Sequence, residues 1–153
     1  MKVIDNFIDN NNFNKIFDLM LSTQFPWFFG KGKSSDNDGL FQFVHVFVER
    51  GKVISPLFKI NAPILKKLNI DKILRIKANF TYKNDINFQY PMHVDQIIEN
   101  GEKFKTGVLY MNTNNGSTLF QNGKRIYSKK NRFVVFDGHQ KHCGVDCTDE
   151  KYR

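Results

Sequence analysis

The triplet His93-Val94-Asp95 offers an imidazole and a carboxylate, and a second imidazole stands about fifty residues downstream at His142. Along an extended backbone, side chains alternate between faces, so His93 and Asp95 point the same way. Two nitrogens and one oxygen on one side of a metal form the set used for non-haem Fe(II), with coordination positions left open. Open positions are where chemistry occurs. An H-x-D triplet also arises often by chance, so the elements that would position it have to carry the reading.

Those elements belong to a β-rich chain. Its 153 residues suffice for one domain, taken as 1–153, with a real core. The 16 Phe, with Val and Ile, come in short runs separated by Asn, Gly and Asp, the pattern of strands and turns. A net charge of +8 would suit nucleic acid, an anionic surface or acidic small molecules. The lysines are scattered along the whole chain rather than clustered, so nucleic acid is not the favoured partner. Cys143 and Cys147 have no further cysteines with which to build a framework, and they read as free thiols in a reducing compartment. No basic n-region leads into an apolar run, and no apolar run approaches a membrane span. A cytoplasmic protein without a membrane partner is expected.

In chain order, Ile4, Phe7, Ile8, Phe13, Ile16, Phe17, Met20 and Leu21 recur at helical spacing. They predict one amphipathic helix after a short lead, with cap candidates from Asp9 to Asn12. Residues 24–29 end it, and residues 31–39 form a polar loop. Residues 41–49 read as a mostly buried strand in which His45 is a hydrogen-bonded core residue rather than a ligand. Ala62–Leu68 reads as a short helix with Asn61 as its cap and Pro63 in its first turn. Strands are expected within 71–82, 105–112, 117–120, 124–127 and 133–136, with a turn region at 97–103 and a hairpin turn at Asn122-Gly123. A helix followed by short strands and tight turns predicts a mainly β protein. Its core would be a double-stranded β-helix, a cupin-like jelly-roll, with an N-terminal helix and a short second helix. In such a roll the triplet and a segment near the C-terminus can lie side by side. His139 competes with His142 for the third position, but it adjoins the Asp137-Gly138 turn and has little chain with which to reach the site.

The order of H-V-D at 93–95, TGVLYMNTNNGSTLF at 106–120, NRFVVFDG at 131–138 and HCGVDCTDEKYR at 142–153 resembles the iron(II)- and 2-oxoglutarate-dependent oxygenases. Within them it is most similar to the prolyl-4-hydroxylase-like group and to related oxygenases of bacteriophage and marine bacteria. The resemblance spans the chain from the second strand onward. It implies that His93, Asp95 and His142 hold the metal, with 2-oxoglutarate as cosubstrate and O2 as oxidant. The family carries a basic residue some ten positions after the distal histidine, which binds the far carboxylate of 2-oxoglutarate; Arg153 lies eleven after His142. A guanidinium suits that task because it grips a carboxylate with two parallel hydrogen bonds. A tyrosine about eleven residues before the triplet often contacts the cosubstrate, and Tyr82 matches. In the family an apolar strand follows the basic residue, whereas this sequence ends at Arg153, which suggests a truncated domain or a roll with one strand fewer.

The function implied is hydroxylation of a C–H bond coupled to decarboxylation of 2-oxoglutarate, with a peptidyl proline or another protein side chain as the first substrate class and a nucleobase as the second. Two rivals stand beside it. One is a non-catalytic β-roll binding module, and the other is a cupin-type metal enzyme that does not use 2-oxoglutarate.

Overall fold

Asp9 opens helix α1 (Asn10–Met20) by accepting a hydrogen bond from the Asn12 amide at 2.9 Å, which satisfies one of the unpaired donors of a helix start. The apolar stripe of α1 turns Phe13 and Ile16 inward against Phe7, Ile8 and Phe133. These relations come from a computed structural model that describes residues 1–33, 38–70, 72–96 and 102–153. The central part of the 31–39 loop and most of the 97–103 turn lie outside the described residues.

The remaining elements are short. Strand β1 (Lys2–Ile4) precedes α1, and β2 (Phe28–Lys31), β3 (Phe41–Glu49) and β4 (Lys52–Val53) follow it. A 3₁₀ turn (Pro56–Asn61) leads into α2 (Ala62–Leu68), followed by β5 (Ile76–Phe80) and β6 (Lys105–Tyr110). The chain then runs through β7 (Ser117–Phe120), β8 (Arg125–Tyr127), β9 (Arg132–Asp137) and β10 (His142–Val145). Among the described residues pairing is antiparallel, in three sheets: β1-β9-β6, β10-β7-β8, and β2-β3-β4 with β5 also on β3. The protein is a mainly β, jelly-roll fold, with two α-helices among the described residues.

Alternation on β6 and β9 divides the interior. Leu109, Phe133 and Val135 face α1, while Val108, Tyr110, Val134 and Phe136 face Phe120 and Ile126 of the β10-β7-β8 sheet. The second of these layers is the floor on which the site is built. A third cluster packs Phe47, Val48 and Ala78 of β3 and β5 against Phe25 and Leu19.

Short strands depart from the sequence reading, β4 (Lys52–Val53) among them. Ile4 lies in β1, paired to Phe133 of β9, instead of leading the helix, and residues 28–31, expected as helix end and loop, form β2 along β3. Asn61 holds the cap position of α2, yet its amide donates to the Phe58 carbonyl at 3.0 Å, so the side chain closes the preceding 3₁₀ turn rather than capping the helix. His45 is satisfied at both nitrogens, by the Pro26 carbonyl at 2.8 Å and the Ser55 hydroxyl at 2.7 Å. Cys143 and Cys147 are free and buried. Among the described residues no helix is long and apolar enough to cross a membrane.

Candidate metal centre

Strand β10 supplies His142, and the segment after β5 supplies His93 and Asp95. Reciprocal backbone hydrogen bonds of 2.9 and 3.0 Å clamp His93 to His142. One ligand-capable atom from each of His93, Asp95 and His142 falls within 4.8 Å of the others. Each ring also directs its Nδ1 to a backbone carbonyl: His93 to Pro91 at 3.1 Å and His142 to Gln140 at 3.0 Å. A ring that donates from Nδ1 presents its Nε2 lone pair to a metal, and the carbonyl fixes both tautomer and ring direction. Two such nitrogens and a carboxylate are a chemically fitting donor set for Fe(II).

His142 is packed on Phe136 and Phe120, with ring centroids 4.8 and 6.0 Å away. Its Nε2 lies 3.4 Å from Asp95 Oδ2. Burial opposes the charge on His142, but the Asp95 hydrogen bond, the Gln140 carbonyl and the Asp95 charge raise its pKa overall. Burial likewise opposes the charge on Asp95, and His142, Arg75 and His93 outweigh it, lowering its pKa. The other carboxylate oxygen, Oδ1, accepts from Arg75 Nη2 at 3.3 Å. His139 stands elsewhere: it is exposed, with Nε2 at 3.3 Å from the Glu102 carbonyl and its ring against Phe104.

Further along the inner face of β10 comes Gly144, two residues from His142. A Cβ there would sit 3.3 Å from Arg153 Nη1 and 3.2 Å from the Tyr90 ring. The absence of a side chain lets the guanidinium and the tyrosine lie against the strand. Gly116 makes the same allowance for the Arg153 stem, since a Cβ would come within 2.8 Å of Cδ. Arg153 donates from Nε to Ser128 Oγ and from Nη2 to the Ser117 carbonyl, each at 3.0 Å, while its backbone pairs with Thr81. Burial lowers its pKa, partly opposed by Tyr110, Asp146, Cys147 and Tyr90. Among the described residues no carboxylate forms an ion pair with it.

Tyr82 is 44% exposed, stacks on Phe41 at 5.3 Å, bridges Tyr152 through its backbone, and has Lys33 Nζ 5.9 Å from its ring centroid. Arg153 lies over the Tyr110 ring, 6.0 Å from its centroid, and shares the face of Gly144 with Tyr90, a buried tyrosine whose hydroxyl donates to Asp146 and accepts from Lys33. Burial and the Asp146 bond raise the pKa of Tyr90. Lys33 pairs with Asp146 at 3.6 Å, and burial lowers the lysine's pKa against that attraction.

Sequence reasoning missed Arg75, Lys33, Tyr90 and Asp146. Tyr90 is hidden by a register slip: between the bridges Gln89↔Val145 and His93↔His142, four steps on one strand face three on the other. Such an extra residue re-aims side chains, so Tyr90 and His93 reach the same interior although period-two counting puts them on opposite faces.

An antiparallel jelly-roll with two imidazoles and a carboxylate converging beside its inner face is the class that fold and site define. The chain matches no protein-family model and no curated protein. Among solved structures, its fold is similar to the crystal structure of a Pseudomonas putida prolyl-4-hydroxylase, with a TM-score of 0.51 and 11% identity, over 99% of this chain and 86% of that one. At that identity the likeness speaks for the fold.

Proposed function

We propose that this chain is a non-haem iron(II) oxygenase that uses 2-oxoglutarate and O2 to hydroxylate a C–H bond. The observation that carries the reading is Arg153, a guanidinium packed against Gly144 on the strand that carries His142, with no carboxylate ion-paired to it among the described residues. A cation in that position is costly unless an anion joins it. Gly144, against which the guanidinium lies, is two residues along β10 from His142, about 6–7 Å of strand, an offset in keeping with a five-carbon dicarboxylate bound to a metal at one end and to the guanidinium at the other.

In this reading His93, Asp95 and His142 hold iron, Arg153 holds the far carboxylate, and Phe120 and Phe136 keep water from the inner side of His142. Bound iron would supply the activation of O2, coupled to conversion of 2-oxoglutarate to succinate and CO2. The resemblance gives the cosubstrate-facing tyrosine as Tyr82; Tyr90, which lies with Arg153 against Gly144, is a second candidate for that contact. Peptidyl proline or another protein side chain is the first substrate class, in keeping with the prolyl-4-hydroxylase of similar fold.

Anaerobic titration with Fe(II) and then 2-oxoglutarate, followed by visible absorption, tests the reading. A charge-transfer band that needs both components is the expected result. Iron binding without the band points to a metal roll that does not use 2-oxoglutarate, and no iron binding points to a non-catalytic module.

A further inference from the structure

We infer that Arg75 is a positioning residue for the metal centre: it occupies the outer oxygen of Asp95, so that this ligand offers one oxygen to the metal and coordination positions stay open. The inference rests on the metal reading above and concerns a residue from outside the ligand set.

The two oxygens of Asp95 are differently committed. Oδ2 lies 3.4 Å from His142 Nε2, toward the ligand cluster, while Oδ1 accepts from Arg75 Nη2 at 3.3 Å. The next side chain is gripped by the same guanidinium: with the Gln96 amide turned so that its oxygen faces the arginine, it accepts from Nη1 at 3.0 Å and Nε at 3.1 Å. One planar fork therefore spans two consecutive side chains, a task for which the rigid arrangement of arginine donors is suited and a lysine is not.

The backbone around Asp95 explains why such a grip is needed. The bonds that clamp this segment to β10 fall at His93, two residues short of Asp95. Arg75, by contrast, immediately precedes β5, whose first residue Ile76 pairs with Val48 of β3, and the adjoining Leu74 carbonyl accepts from Gly51 N at 2.9 Å. A side chain fixed on the sheet thus orients a ligand that the ladder leaves free. Both side chains are about three-quarters buried, with 23% and 26% exposure, so solvent screens the pair only in part. Without the arginine, the carboxylate can turn and present both oxygens to the metal, filling a position that an open 2-His-1-carboxylate site keeps for other ligands.

The test is anaerobic Co(II) titration of the wild type, Arg75→Met and Arg75→Lys, read by the visible ligand-field band, whose intensity reports coordination number, with circular dichroism as the check on folding. For Arg75→Met we expect Co(II) affinity to fall about tenfold to a hundredfold, the range for losing an outer-shell partner, together with a changed band. Arg75→Lys should recover part of the affinity. If Arg75→Met does not fold, Arg75→Gln, which keeps a donor without the charge, makes the same comparison. A wild-type protein that takes up no Co(II) overturns the metal reading itself. Normal uptake by the wild type with an unchanged band in the folded variants overturns the role of Arg75, whatever happens to affinity.

Discussion

In the proposed metal centre, protons and a metal would compete for one lone pair of His142. Asp95 raises the histidine's pKa above its ordinary value of about 6.5 in the metal-free protein, so metal affinity should weaken as pH falls through that raised value. Metal-free stability follows the opposite limb. A raised histidine contributes fully below about pH 6.5 and loses that contribution as pH rises through its folded value. Asp95, whose pKa is lowered, contributes above about pH 4 and loses its contribution as pH falls. Urea midpoints in chelator should therefore decline above about pH 6.5 while metal titrations tighten; parallel pH trends in the two would sink the coupling. Arg153 gives a second prediction. Arg153→Ala should lower affinity for 2-oxoglutarate by two or more orders of magnitude, for a loss of about 3–5 kcal/mol, and leave metal uptake intact. Arg153→Lys should restore part of it, keeping the charge but not the two-pronged geometry. Equal cosubstrate affinities in all three proteins would mean that another residue holds the carboxylate, or that 2-oxoglutarate is not the cosubstrate. His93 and Asp95 were legible in the sequence because two covalent steps fix their relation. Arg75 and Lys33 were not, since each arrives from a separate element and a basic side chain on a chain of net charge +8 carries no mark of its partner.

Among the elements, β1 shows what a three-residue strand conceals. Ile4, Phe7 and Ile8 fit a helical stripe by spacing alone, and only the edge of β9 decides that Lys2–Ile4 extend along it. Asn131 fixes that arrangement. It holds a left-handed φ of 58° and is 2% exposed. Its amide accepts from Ile8 N at 3.2 Å and donates to Ile8 O at 2.7 Å, while its own carbonyl takes the Phe7 N–H at 2.9 Å. Replacing Asn131 by alanine leaves two buried backbone groups unpaired and puts a poorly suited residue in left-handed backbone, for a loss of about 2–4 kcal/mol. Asn131→Gly should lie between the two, because it relieves the backbone cost without restoring the hydrogen bonds. Chemical denaturation separates the three proteins, and equal midpoints for the alanine and glycine variants would remove the backbone part of the argument. Longer elements were plain in the sequence: β3 and α2 match their expected bounds, since nine apolar-rich residues and a Pro-led turn of helix leave little local ambiguity.

Across the whole molecule, the jelly-roll class was legible because short apolar runs at turn-separated spacing admit few other packings. The pairing that brings residue 93 to residue 142 was less so, since it depends on the slip near Tyr90 that no period in the sequence announces. In the proposed reading this pairing would make the metal a structural link as well as a chemical one: its ligands would join the segment after β5 to β10, two parts of the chain otherwise held at this point by the His93–His142 backbone bonds. A ligand that binds only the folded state stabilises it by mass action, by about 2.7 kcal/mol at a hundredfold excess over its Kd, or about 5–10 °C in Tm for a chain of this length. His93→Ala should abolish that metal-dependent increment. It should leave metal-free stability within about 1 kcal/mol, because the backbone bonds to His142 do not use the ring and His93 is only partly buried. Thermal unfolding of both proteins, with chelator and with excess Fe(II) or Co(II), distinguishes a ligand from a packing residue. A chelator-resistant loss of several kcal/mol, the size of a core cavity, would instead make His93 part of the roll's packing, and an unchanged metal-dependent increment would remove it from the ligand set.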